Sequence, residues 1–142
     1  MNRNMRSVIA TFALVMVAGA ASAYAQETGV KAHIPFAFAV SSSTLPAGDY
    51  SLSPLAPNIW EIRNEEGSQA ILTQARRDGT NEAVTSAGLV FKRCGERYFL
   101  SKVRALGETT AIPASKEERA LEREMARNGS QPETLYVLAS VR

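Results

Sequence analysis

From Val30 to Val40 the chain alternates, and this stretch constrains the fold more than any other. Val30, Ala32, Ile34, Phe36, Phe38 and Val40 share one parity; Lys31, His33, Pro35, Ala37 and Ala39 share the other. A helix turns about 100° per residue and would scatter the first set around its circumference. A strand turns 180° and puts that set on one face. A face this apolar must be covered, so the rest of the chain has to supply a partner layer. Pro35 has no N–H to give to a ladder, which predicts a sheet edge or a bulge at that point.

The following residues repeat the logic in shorter runs. Leu45-Pro46-Ala47-Gly48 is a turn, and Tyr50 and Leu52 open a second strand that Pro54, Pro57 and Asn58 interrupt. Ile59–Arg63 is a third strand with Trp60 and Ile62 inward, and Ala70–Ala75 a fourth, the two separated by a turn at Asn64–Gly67. Arg76–Ala87 reads as a polar loop. Leu89–Arg93 and Arg97–Val103 read as strands five and six, joined by a tight Cys94-Gly95-Glu96 hairpin. Residues 105–114 read as a loop, and Leu135–Val141 is a last strand. One helix is predicted over 115–127. Ser115 and Glu118 form a capping box, Asn128-Gly129 supplies a stop, and Leu121 with Met125 forms a thin apolar seam. The expected fold is all-β: a small antiparallel β-sandwich or barrel of about seven strands, with one helix before the last strand. A membrane barrel is disfavoured, because the strands are short and strands five and six carry Lys and Arg where a lipid-facing band would lie.

Residues 1–25 belong to a different class. Arg3 and Arg6 precede an uncharged, mostly apolar run, Val8–Val17, and small residues follow up to Ala23-Tyr24-Ala25. This is the pattern of a cleavable signal peptide, with Ala23 and Ala25 at the small-residue positions before the cut. The apolar run is short of the ~20 residues a spanning helix needs. The expected mature protein is a single β-rich domain, 26–142, exported to the periplasm or beyond, with no integral membrane domain after signal removal. Arg3 and Arg6 also account for the formal net charge of +2. The mature chain is therefore balanced, with no global field to draw nucleic acid or anionic lipid.

Cys94 is the only cysteine and His33 the only histidine. No disulfide can form within the chain, and no structural zinc site or other cofactor site is expected. A Gly-x-Ser-x-Gly elbow, a phosphate loop and a His-Glu-x-x-His helix are absent from the sequence.

One series of segments runs through most of the mature chain: Ile34-Pro35-Phe36-Ala37-Phe38, Leu45-Pro46-Ala47-Gly48-Asp49-Tyr50-Ser51-Leu52, Leu89-Val90-Phe91-Lys92-Arg93 and Arg97-Tyr98-Phe99-Leu100, followed by the charged helix. It resembles a group of small exported bacterial proteins of unknown function. The resemblance implies export and a β-rich fold and implies no activity. The Pro46–Leu52 piece is also similar to the turn-to-strand motif of prealbumin-like sandwich modules.

Individual side chains are weighed on the same basis. His33 has the parity of an exposed residue, and no partner carboxylate or nucleophile lies near it in sequence, so it reads as surface. Cys94, beside Arg93 and close to Arg97, reads as a turn cysteine; the sharper alternatives are a thiol activated by positive neighbours or an intermolecular disulfide. Glu61, Glu65, Glu66 and Asp78 cannot be paired as catalytic carboxylates from sequence. Lys92, Arg93, Arg97, Lys102 and Arg104 make strands five and six locally basic. That suits a protected sheet edge, with an anionic envelope polymer as the alternative. The mixed charges of the helix, from Lys116 to Arg127, read as a solvated face. Phe36, Phe38, Tyr50, Trp60, Phe91, Tyr98, Phe99 and Tyr136 read as core, with an apolar-ligand pocket as the alternative. Two function classes stay open. One is a non-catalytic binding or structural module of the cell envelope or extracellular space, its partner an envelope polymer or protein. The other is an exported enzyme with a site assembled from scattered residues.

Overall fold

The structure, a computed structural model, describes residues 29–79, 85–105 and 107–141. The signal peptide expected over 1–25, with its Ala23 and Ala25, lies outside the described residues.

The long alternating stretch is two strands rather than one. β1 (Val30–Ile34) stops where Pro35 withholds a donor, and β2 (Phe38–Val40) resumes after a bend. The two halves join different sheets, so Pro35 marks a crossing between layers and not an edge. β1 is itself interior, paired on both sides. β3 (Ser43–Leu45) folds back on β2. β4 (Gly48–Ala56), β5 (Ile59–Asn64) and β6 (Ala70–Gln74) form a meander, and β7 (Arg76–Arg77) follows directly. β8 (Gly88–Cys94) and β9 (Arg97–Ala105) form the central hairpin, turning at Gly95 with a φ of 64° that glycine adopts without steric cost. β10 (Glu108–Ala111), helix α1 (Lys116–Arg127), β11 (Glu133–Leu138) and β12 (Ser140–Val141) complete the order.

Two sheets result. One has five strands in the order β12-β1-β4-β5-β6. The other has seven: β11-β8-β9-β10-β7, with β2 and β3 added along the free stretch of β9. Of the two architectures expected, the sandwich is the one formed: neither set of described strands closes into a barrel. Twelve described strands replace the seven expected. Pro35 and Ala139 each split one predicted strand between the sheets, and the predicted loops contribute the short β3, β7 and β10.

Strands five and six of the sequence reading are the interior strands β8 and β9. The protected-edge explanation of their charges is therefore wrong: their ladders are filled by β11 on one side and by β10 and β2 on the other. Only period two was visible in the sequence, and period two does not say where in a sheet a strand lies.

Between the sheets the core is aromatic and aliphatic. Phe38 packs edge-on to Tyr50 at 5.1 Å and to Phe91 at 5.5 Å, Phe36 packs edge-on to Phe91 at 5.0 Å, and Phe36 stacks on Tyr98 at 4.0 Å. Tyr50 donates its hydroxyl to the Pro46 carbonyl at 2.6 Å, which satisfies its one polar atom and ties the Pro46–Gly48 turn to the core. These rings occupy the position where a lipocalin-like interior would have to be empty, so the apolar-pocket alternative has no support there. Tyr136 departs from the expected core set; it is exposed on β11, with the Arg104 guanidinium 5.4 Å from its ring centre.

The helix forms as predicted. Ser115 accepts from the Glu118 amide at 3.1 Å, and at the other end Gly129 and Ser130 donate back to Ala126 and Met125 in a Schellman closure. Leu121 and Met125 rest on Ala39, Cys94 and Phe99, on the outer face of the seven-stranded sheet. No helix among the described residues is long and apolar enough to cross a membrane.

Candidate functional site

A cleft lined from both sheets lies at one end of the sandwich. The β4–β5 connection there is short and stiff. Pro54 and Ala56 flank a register shift, Pro57-Asn58 makes the turn, and the Asn58 carbonyl accepts from the Ala75 amide at 2.9 Å. Opposite this end of the five-stranded sheet stand Arg77 of β7, Ala105 of β9, and Glu108 and Thr110 of β10. A cleft of about 620 Å³ remains, within the range that takes small ligands or one segment of a polymer. Trp60, 9 % exposed, with Ala75 and Ala105, forms its apolar floor, and Asn58 and Thr110 line it with polar groups. Arg77 and Glu108 stand at the cleft as an ion pair with each other. Its titratable groups are thus held as a mutual pair.

By sequence, Trp60 reads only as core, and Pro54, Pro57 and Asn58 only as strand breakers. The available signal was their spacing: two prolines and an asparagine immediately before the sole tryptophan. Glu108 and Thr110 gave no signal, because their relevance depends on a sheet contact far away in sequence.

The lone histidine, the cysteine and the charged residues of β8, β9 and the helix fall elsewhere. His33 is exposed as expected but has a partner after all: its Nδ1 lies 2.7 Å from Asp49 Oδ1, directly across the β1–β4 ladder. Sequence distance hid this, since the partner is set by strand register. Both side chains are about two-thirds exposed, at 69 % and 66 %. Such a pair has little effect on stability. Lys31 donates to Glu65 at 3.1 Å nearby, and Asp49, Glu65 and Glu66 border a smaller hollow of about 390 Å³. Glu61 pairs with Arg63 at 2.7 Å and Asp78 with Lys102 at 2.6 Å. The basic stripe is matched the same way: Lys92 with Glu122, Arg93 with Glu133 and Arg97 with Glu117. A face so neutralised offers a polyanion little net charge.

Cys94 is 3 % exposed, beneath α1. Burial pushes its thiol pKa up, the charges of Glu122 and Glu118 add to the rise, and Lys92 opposes it. This is the reverse of the activation that neighbouring arginines suggested: Arg93 donates to the Gly95 carbonyl and Arg97 is held by Glu117. An intermolecular disulfide would require α1 to leave the sheet first. Among the described residues, no group of three His, Cys, Asp or Glu side chains is placed to hold a metal ion.

These placements make a double variant informative. His33→Ala with Cys94→Ala is expected to fold and to lose only about 1 kcal/mol, nearly all of it from the small gap left by the sulfur. Chemical denaturation checks this; a loss of several kcal/mol would give the exposed His33–Asp49 pair a structural weight that its solvation does not allow.

No protein family, curated protein or solved structure matches the chain.

Proposed function

We propose that the mature chain is a non-catalytic binding module of the cell envelope or extracellular space, and that the cleft floored by Trp60 receives its ligand, a segment of an envelope polymer. The cleft carries this reading. It joins an apolar floor to convergent amide and hydroxyl groups, and its charged pair is already neutral. That combination suits an uncharged, hydroxyl-rich chain better than an ionic one. The signal-peptide pattern of residues 1–25 and the resemblance to small exported β-rich proteins support the location.

The chain's single tryptophan makes the test direct. Solubilised peptidoglycan fragments, titrated into the mature protein, are expected to shift or quench Trp60 emission saturably. Thr110→Val with Asn58→Ala is expected to weaken that response about tenfold or more, two hydrogen bonds at roughly 0.5–1.5 kcal/mol each. An unchanged spectrum across envelope glycan fractions would remove the reading.

A second reading, an exported enzyme, is favoured by one observation: His33, Asp49, Lys31 and Glu65 converge on the outer face of the five-stranded sheet. Their exposure to water counts against it, because acid–base sites gain from exclusion of solvent.

A further inference from the structure

We propose that α1 is a charge-gated latch on the seven-stranded sheet: Glu118, sealed under the helix and pinned by Lys92, sets how firmly the helix stays down, and release uncovers Ala39, Cys94 and Phe99.

The inward stripe of α1 is Glu118, Leu121, Glu122 and Met125, at the i, i+3, i+4, i+7 spacing of one helical face. Its most buried member is a carboxylate. Glu118 is 4 % exposed, whereas Leu121, Glu122 and Met125 are only half-buried. A helix built only to stay docked would place an apolar side chain there, since buried ion pairs are often replaceable by hydrophobic residues at no loss. Lys92 on β8 is the pin. Its Nζ donates to Glu122 Oε1 at 2.9 Å and lies 3.7 Å from Glu118 Oε1. One cation thus serves two carboxylates and favours the nearer.

Besides Lys92, the Ser115 backbone N–H donates to the Glu118 carboxylate and favours its charged form. Cys94 on β8 is neutral, and Arg97 on β9 is engaged by Glu117. Burial raises the Glu118 pKa above the ordinary glutamate value, Lys92 works against the rise, and Glu122 adds to it. The docked helix therefore binds a proton more readily than the released one. Docking is strongest with Glu118 protonated and weakens as pH climbs through the raised value. Lys92 keeps its charge throughout: burial alone would lower its pKa, but the Glu122 hydrogen bond and the two carboxylate charges outweigh burial and raise it.

Cys94 provides a built-in reporter, being the only thiol in the chain and lying directly under the helix. Labelling by an aromatic disulfide reagent under native conditions measures how often the latch opens. Glu118→Gln removes the buried charge yet can still close the capping box. It is expected to slow labelling several-fold at neutral pH. Lys92→Met leaves the carboxylate unpinned and is expected to speed labelling roughly tenfold or more. The double variant is expected to return to the slow rate. The ratio of wild-type to Glu118→Gln rates, in which the intrinsic pH dependence of the thiol cancels, should fall as pH drops from neutral toward the ordinary glutamate value. If Lys92→Met does not fold, Glu118→Gln and the pH ratio still decide. Equal rates in wild type and Glu118→Gln at every pH would overturn the latch. So would labelling that proceeds only at each variant's global unfolding rate.

Discussion

Phe91→Ala is expected to cost the domain about 3–5 kcal/mol. Phe91 is fully buried on β8, and its ring meets Phe36 and Phe38 edge-on, so truncation removes one member of a cluster that ties β8 to the β1–β2 crossing. Phe36 sits in the bend at which the chain passes between sheets, and Phe38 opens the strand that follows it. The cavity would therefore open where the two layers are joined, and backbone pairing on both sides limits how far they can collapse into it. Small domains hold only about 5–15 kcal/mol in total. The variant should thus show a large drop in its denaturation midpoint, or fail to fold. Urea titration followed by circular dichroism checks this. A loss under about 1.5 kcal/mol would mean that the space between the sheets is loosely packed, and would reopen the apolar-pocket alternative.

The second large effect is expected before the protein folds in its final compartment. Expressed in a bacterial host, the chain should appear outside the cytoplasm with Gln26 at its N-terminus. Ala23→Arg with Ala25→Arg should abolish that cleavage, since signal peptidase accepts only small side chains at these two positions. The expected product is an uncleaved chain held at the inner membrane by the Val8–Val17 run. N-terminal sequencing and fractionation decide. Finding Met1 or Arg3 on wild-type protein recovered from the periplasm or medium would contradict the signal-peptide reading.

The parts of the fold written in local chemistry were legible. The hairpin at Gly95, the Ser115 cap, the Gly129 stop and the inward Trp60 and Ile62 follow from turn, cap and period signals within a few residues. What depends on contacts remote in sequence was hidden. Pro35 announces a break in the ladder, but not that the chain then changes sheets. Lys92 and Arg97 announce charge, but not that α1 brings carboxylates to them. Glu118 is the sharpest case. Its place in the capping box was readable, whereas its burial depends on the helix lying across β8, which no local pattern encodes. The cleft was hidden for the same reason. Its floor comes from β5, β9 and the β6–β7 junction, and its polar groups come from the β4–β5 turn on one sheet and from β7 and β10 on the other.

Chemical-shift mapping of the mature protein on addition of solubilised envelope glycan tests the binding reading most directly. The expected result is a saturable set of amide shifts centred on Asn58, Trp60, Arg77 and Thr110, with the glycan recovered unaltered. Shifts centred instead on His33 and Asp49, or glycan recovered cleaved or modified, would contradict it.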